Sequence, residues 1–296
     1  MLFPDLESFS NHFYSEEICC ALLFQIKWPN GFRCSQCLHS RAYTITIRRL
    51  PLFECARCNR QHSLTTGTVM ENSRTPLRKW FMAFFLFSTA EQSISAMSLS
   101  RILEVTYKTA WLMLHKLRDA LDQADHKPLL EGVVRIQGGA YGSPFNPYTE
   151  KDPQRHPLLA GGSIQESDEV TNLILTIVEP QQVQPSGHIS YYAEQAFIQQ
   201  NVSSAATDVQ SVRYRQHRSR FRPLVRCISD FSKWVNATFH GLGRKYLQAY
   251  ANEYTFRYNS LRHHQSILPR VLQLCCSTPQ APTRRSLSSK YHLFVL

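Results

Sequence analysis

Four cysteines near the N-terminus constrain this chain more than any other feature. Phe32-Arg33-Cys34-Ser35-Gln36-Cys37 is followed, after 17 residues, by Cys55-Ala56-Arg57-Cys58. This C-x2-C-x17-C-x2-C spacing lies in the range of a tetrahedral zinc site. Two-residue spacing lets both sulfurs of a tight turn point to one side, and two such turns close a four-thiolate cage that Zn2+ holds deprotonated. Between the turns, Ala42-Tyr43-Thr44-Ile45-Thr46-Ile47 alternates and is rich in β-branched residues, as a hairpin strand should be. Leu52-Phe53-Glu54 leads into the second turn in the same manner. The expectation is a zinc ribbon with Cys34, Cys37, Cys55 and Cys58 on one structural Zn2+; the alternative is redox or free thiols. Nine cysteines in all, an odd number, with no export signal in front of them, argue against a disulfide framework. Cys19 and Cys20, in the apolar run Ile18–Phe24, read as small buried hydrophobes.

Charge divides the chain. The formal net charge is +11. Residues 1–128 carry 15 basic and 11 acidic side chains, residues 129–211 carry 3 and 9, and residues 212–296 carry 15 and 2. Two positive blocks flanking an acidic middle favour a polyanionic partner. Arg33, Arg41, Arg48, Arg49, Arg57 and Arg60 decorate the two cysteine turns and suit phosphate contact, with a merely solvated basic surface as the alternative. The run Arg213–Arg222 sets Arg215, Arg218, Arg220 and Arg222 among aromatic and polar residues, the makeup of a phosphate-tracking segment or of a flexible basic loop. The longest apolar run, Trp80–Phe87, is eight residues, far below the ~20 of a membrane helix. A cytoplasmic protein without a membrane partner is expected.

From Pro76 to Leu121 the pattern turns helical. Thr75-Pro76 reads as a cap followed by Pro at the first helical position, opening a very apolar helix. Ile94 to Leu103 forms a shorter one, Glu104-Val105 interrupts it, and Thr106 can cap a third with Ala110, Trp111, Met113, Leu114 and Leu117 inward. Helix, short turn and a capped basic helix make a helix-turn-helix pattern. Thr106, Tyr107 and Lys108 then sit where such a helix meets bases, and Lys116 and Arg118 follow along it. An ordinary three-helix packing unit is the alternative.

The order of the ribbon, Leu64-Thr65-Thr66-Gly67-Thr68-Val69-Met70, Thr75–Trp80 and Tyr107-Lys108-Thr109-Ala110-Trp111 resembles bacterial insertion-sequence transposases with an N-terminal zinc ribbon and an RNase H-like DDE domain. Tyr246–Asn259 resembles the closing helix of that family. The resemblance spans roughly residues 10–260. It implies an α/β RNase H-like fold in which three acids hold two divalent ions for attack on phosphate, Mg2+ being the hard-oxygen cation such acids bind. Carried over residue by residue, the first acid falls on Gln137 and the Glu beside it on Gly138, in the strand Gly132–Gly142. The second is Asp208, after a helix at Tyr192–Gln200 and a small-residue turn, Val202–Ala205. Counting back from Phe256-Arg257-Tyr258-Asn259 puts the third on Val225, with Asp230 as a substitute only after a register shift. The resemblance thus leaves a remnant centre with one acid of three.

The expected architecture is an N-terminal helix and zinc ribbon (residues 1–70), a helix-turn-helix-like DNA-binding unit (71–128), an RNase H-like domain (129–262) with strands at Val133–Ile136 and Asn172–Val178, and a basic, disordered tail (263–296). The expected function is binding of double-stranded DNA at insertion-sequence ends, with a homodimer as a further partner and a degenerate catalytic centre. Two rivals stand beside it: an active Mg2+-dependent transposase, and a zinc-ribbon protein-interaction module without specific DNA binding.

Overall fold

The computed structural model describes residues 3–89, 93–123, 129–142, 155–165, 168–184, 188–213 and 221–276. Two short helices open the chain, α1 (Leu6–His12) and α2 (Glu16–Lys27), capped by the side chains of Asp5 and Ser15. A three-stranded antiparallel sheet follows in the order β1 (Ala42–Ile45), β2 (Leu52–Cys55), β3 (Gln61–Ser63). Three helices come next, α3 (Leu77–Thr89), α4 (Ala96–Leu103) and α5 (Tyr107–Gln123). The carboxylate of Glu16, reaching from α2, accepts the backbone N–H groups of Leu77 and Arg78 at 3.0 and 2.9 Å and so caps α3. The apolar run in α3 is explained by burial on several sides: Trp80, Phe81, Phe84, Phe85 and Phe87 are all in the core, and Phe9 of α1 stacks on Phe85.

Two lysines fix the link between ribbon and helices. Lys27 Nζ donates to the carbonyls of Ser63, Leu64 and Thr66. Lys116 Nζ donates to those of Val69 and Glu71 at 2.9 and 2.8 Å. Two ammonium groups, one on each side, thus gather the carbonyls of this loop, which is the structural meaning of Leu64–Met70 in this chain.

The larger sheet is ordered β6-β5-β4-β7. It contains β4 (Leu130–Tyr141), β5 (His156–Ile164) and β6 (Val170–Ile177) as an antiparallel meander. Helix α6 (Tyr191–Asn201) then crosses to β7 (Val202–Val212), which runs parallel to β4. Leu130, Val134, Ile136 and Leu159 pack with Phe197 of α6 on one face. Leu158, Ala160, Leu173 and Leu175 pack on the other against α7 (Arg222–Phe239) and α8 (Arg244–Arg262). Gly161 lets α6 come close to the sheet: a Cβ there would lie 2.6 Å from the Phe197 ring. The closing helix α8 also covers the outer edge of β6. Asn259 exchanges two hydrogen bonds with the Leu173 backbone, Gln248 two with Ile177 and Leu175, and the Tyr258 hydroxyl donates to the Val170 carbonyl. An open sheet edge is a template for unwanted pairing, and polar side chains of the helix close it.

Two expectations need correction, and one strand was not expected. The region 263–296 is not wholly tail: Ile267–Cys276 forms α9, which buries Val271, Cys275 and Cys276 in the N-terminal core because its apolar residues complete the α3 surface. Ser277–Lys290 lies outside the described residues. Val202–Ala205 is not a turn but the start of β7, so Asp208 sits within a strand rather than at its end. The sheet holds a strand, β5, that sequence alone did not place; its Ala160-Gly161-Gly162-Ser163 run carries little β-propensity.

Candidate functional site

The four ribbon cysteines converge. Their sulfurs all lie within 4.8 Å of one another, with Cys34–Cys58, Cys37–Cys55 and Cys37–Cys58 at 3.6, 3.5 and 3.5 Å. Four thiolates at ~2.3 Å from a tetrahedral zinc ion stand about 3.8 Å apart, so the cage fits Zn2+. The electrostatics ask for a cation as well. Burial opposes ionisation of Cys34, but backbone N–H groups of Cys37 and Gln36, with His62 and Cys58, pull its thiol down to about 5. The Arg60 backbone favours the Cys58 thiolate, yet burial and the neighbouring sulfurs push that thiol up to about 12. Without a dication the cage cannot hold four negative charges. His62 was not foreseen: its Nε2 lies 3.3 Å from Cys34 Sγ, and its ring stands edge-on to Phe32. As a donor it is an outer-shell partner for a metal-bound thiolate.

Around the cage, Arg33, Arg48, Arg49, Arg57 and Arg60 are all solvent-exposed, as is Arg41. Light tethers hold three of them: Arg33 to the Leu38 carbonyl, Arg49 to the Arg74 carbonyl and Arg60 to Gln36. In the helical unit, Glu104 ends α4 in the left-handed region at φ +50°, and Thr106 Oγ1 accepts the Thr109 N–H at 3.2 Å, capping α5. Thr106, Tyr107 and Lys108 are exposed on the first turn of α5.

Lys116 and Arg118 do not share that surface. Lys116 is committed to the two loop carbonyls. Arg118 is 1% exposed, and its Nε lies 2.7 Å from Glu253 of α8, itself fully buried. Its guanidinium lies 3.9 Å from the Tyr250 ring centroid. Glu253 also takes Arg257 and the Ser93 hydroxyl. Burial alone would raise the Glu253 carboxyl, but Arg118, Arg257 and Ser93 hold it below the ordinary carboxylate value. Arg118 is therefore an internal counter-ion joining α5 to α8 and has no face left for a phosphate. Beside it, burial and the Arg118 charge depress His115 to about 3. Of the basic run, Arg222 is exposed at the start of α7, while Arg215, Arg218 and Arg220 lie outside the described residues.

The three positions at which the resemblance expects acids are occupied as follows. Gln137 is 1% exposed. Its Nε2 donates to the Gly138 carbonyl and, more weakly, to that of Val212, and its Oε1 accepts the Phe221 N–H at 3.0 Å. The amide thus staples the start of α7 to β4 and β7. At Gly138 a side chain would collide with the backbone of Arg213, so no Glu fits beside it without movement. Asp208 pairs in register with Val133, four residues from Gln137, or about 13 Å along the strand at ~3.3 Å per residue. Its carboxylate is bound by Arg135 at 2.8 Å. Strand alternation puts Arg135 on the same face as Gln137. Val225 is half-buried in the first turns of α7, and Asp230 is exposed and paired with Lys233 at 3.3 Å. Glu194, buried on α6, is taken by Arg213 and Ser211. Among the described residues, only the ribbon cysteines form a group of three or more Cys, His, Asp or Glu side chains close enough to hold an ion. The acid positions as placed do not fit a Mg2+ pair, whose ions stand ~3.5–4 Å apart and need convergent carboxylates.

Residues 14–61 match a family described as the transposase zinc-ribbon domain, and residues 164–259 match the ISXO2-like transposase domain. Over 128 residues the chain is 36% identical to an uncharacterized protein in transposable element ISH50 of Halobacterium salinarum. That match spans 42% of this chain and 41% of the relative. No solved structure matches. Among the described residues no helix is long and apolar enough to cross a membrane.

Proposed function

We propose that this chain, which carries a transposase zinc ribbon and an ISXO2-like transposase domain, binds the DNA ends of an insertion sequence and has lost the strand-cleaving centre. The meander β4-β5-β6 with a parallel β7 reached through α6 supports reading residues 129–262 as RNase H-like. The α4–turn–α5 arrangement, with its left-handed Glu104 and exposed Thr106-Tyr107-Lys108, supports reading the middle unit as a helix-turn-helix whose second helix enters the major groove. The ribbon arginines and Lys108 then contact phosphate, and the structural Zn2+ holds the ribbon in shape. The homodimer remains part of this reading through the symmetry of paired element ends.

One observation carries the catalytic half. The position expected for the first acid is a buried amide with both ends bonded to backbone, and the remaining acid, Asp208, is neutralised by Arg135. A dication pair brought to this site meets one carboxylate that already has a cation, beside a guanidinium that repels it.

The binding half is tested by titrating duplex from the DNA flanking the reading frame over a range of salt, with zinc-loaded and chelated protein. Zinc-loaded protein is expected to prefer the flanking duplex over scrambled DNA, with a slope of log K against log salt that falls by about one for each of Lys108→Ala and Arg57→Ala. Equal affinity for both duplexes, with no effect of Lys108→Ala, would favour a protein-docking ribbon instead.

A further inference from the structure

We propose that the ribbon hairpin carries an apolar wedge, Ile47, that inserts between base pairs of the bound duplex. The inference rests on the DNA-binding reading above and adds how the ribbon grips. Strands β1 and β2 pair from Ala42↔Cys55 to Ile45↔Leu52, which leaves Thr46–Pro51 as the connecting loop. The root of that loop is anchored: Leu50 packs against the N-terminal core, and Arg49 Nη1 donates to the Arg74 carbonyl at 3.0 Å. Its tip projects away. Ile47 is 93% exposed, the highest exposure recorded among the large hydrophobic side chains of the described residues.

A single exposed aliphatic side chain is ordinarily unremarkable. Three features set this one apart. It stands at the tip of an anchored hairpin rather than on a flat surface. It is β-branched and therefore stiff at χ1, so little rotamer freedom is lost on insertion. Arg48 follows it and Arg49 follows that, both exposed, and no carboxylate occurs in residues 46–51. An apolar side chain for a protein partner is served as well by any neighbours; an apolar side chain next to paired guanidiniums matches a base step flanked by phosphates. Proteins that read the minor groove use this combination, placing Ile, Leu or Phe between bases while Arg or Lys neutralises the backbone, and they kink the duplex as a result.

The test places 2-aminopurine at successive steps of duplex from the flanking DNA and follows its fluorescence as full-length, zinc-loaded protein is added. Wild type is expected to raise the signal at one step, by about 2-fold or more, through loss of stacking. Ile47→Ser should abolish that rise while leaving the unfolding midpoint unchanged and weakening binding by about 10-fold or less. Arg48→Ala, which leaves the Arg49 anchor in place, should reduce the salt slope by about one. Binding by wild type with no rise at any step, or an undiminished rise with Ile47→Ser, overturns the wedge and leaves the DNA-binding reading standing. Absence of duplex binding by wild type overturns both. A change in self-association with Ile47→Ser, with base stacking untouched, makes Ile47 a protein contact and also overturns the proposal.

Discussion

Replacing Glu253 by Gln is the sharpest probe of how the helical unit is tied to the α/β domain. Glu253 is fully buried and faces two guanidiniums, Arg118 at 2.7 Å and Arg257 at 3.0 Å. The amide keeps the shape but removes the carboxylate that pairs with Arg118 and Arg257, leaving two cations in a low-dielectric interior. Removing one partner of a buried ion pair costs about 3–5 kcal/mol, since the remaining charge stays desolvated. In a chain of this size each kcal/mol moves the melting point by roughly 2–4 °C. Thermal unfolding followed by circular dichroism should therefore show an apparent midpoint lower by about 6–20 °C, with Arg118→Ala comparably destabilised. Ordered structure should be retained at low temperature. A wild-type melting curve for Arg118→Ala, combined with a loss of DNA affinity, would refute the internal role and return Arg118 to the DNA surface.

Further outcomes follow from other contacts. His115 is depressed to about 3 in the folded protein against an ordinary 6.5, so the unfolded chain binds the extra proton between those values. Its contribution to stability is present above pH 6.5 and is lost as pH falls towards 3, at up to about 1.4 kcal/mol per pH unit; urea titrations across that window should show the loss, and His115→Phe should flatten it. His62→Ala removes the outer-shell partner of Cys34, and a chromogenic chelator should extract zinc with an affinity lowered about 10-fold or more; unchanged retention would mean that the 3.3 Å contact is incidental. Restoring an acid by Gln137→Asp takes away the amide donor that bonds the Gly138 carbonyl and buries a charge. The variant should be less stable by about 2 kcal/mol or more and should gain no Mg2+-dependent cleavage; gain of cleavage would show that one missing acid was the whole deficit.

Local chemistry made part of this molecule legible from its residues. Cysteine spacing defines the ribbon because a tetrahedral cage tolerates few geometries, and Thr106 declares the α5 start because a hydroxyl cap is a local contact. The apolar run Trp80–Phe87 announces a buried helix, though not that Glu16 from another helix caps it. Long-range partners were not readable. Arg118 looks like a surface cation on a basic helix until Glu253, 135 residues away, is brought against it. Lys116 likewise depends on carbonyls of a distant loop. The C-terminal helix α9 was hidden by the polar tail that follows it. The amide at Gln137, where the resemblance expects an acid, is plain in the sequence, but the bonds that turn it into a staple, and the guanidinium of Arg135 on Asp208, belong to the assembled sheet.

The most direct measurement is strand nicking. Zinc-loaded protein is incubated with labelled flanking duplex in Mg2+ and in Mn2+, and the products are resolved on a denaturing gel beside a native gel of the same mixtures. A shifted complex on the native gel and intact strands on the denaturing one are expected. Metal-dependent nicks at the element boundary that Asp208→Ala abolishes would contradict this expectation.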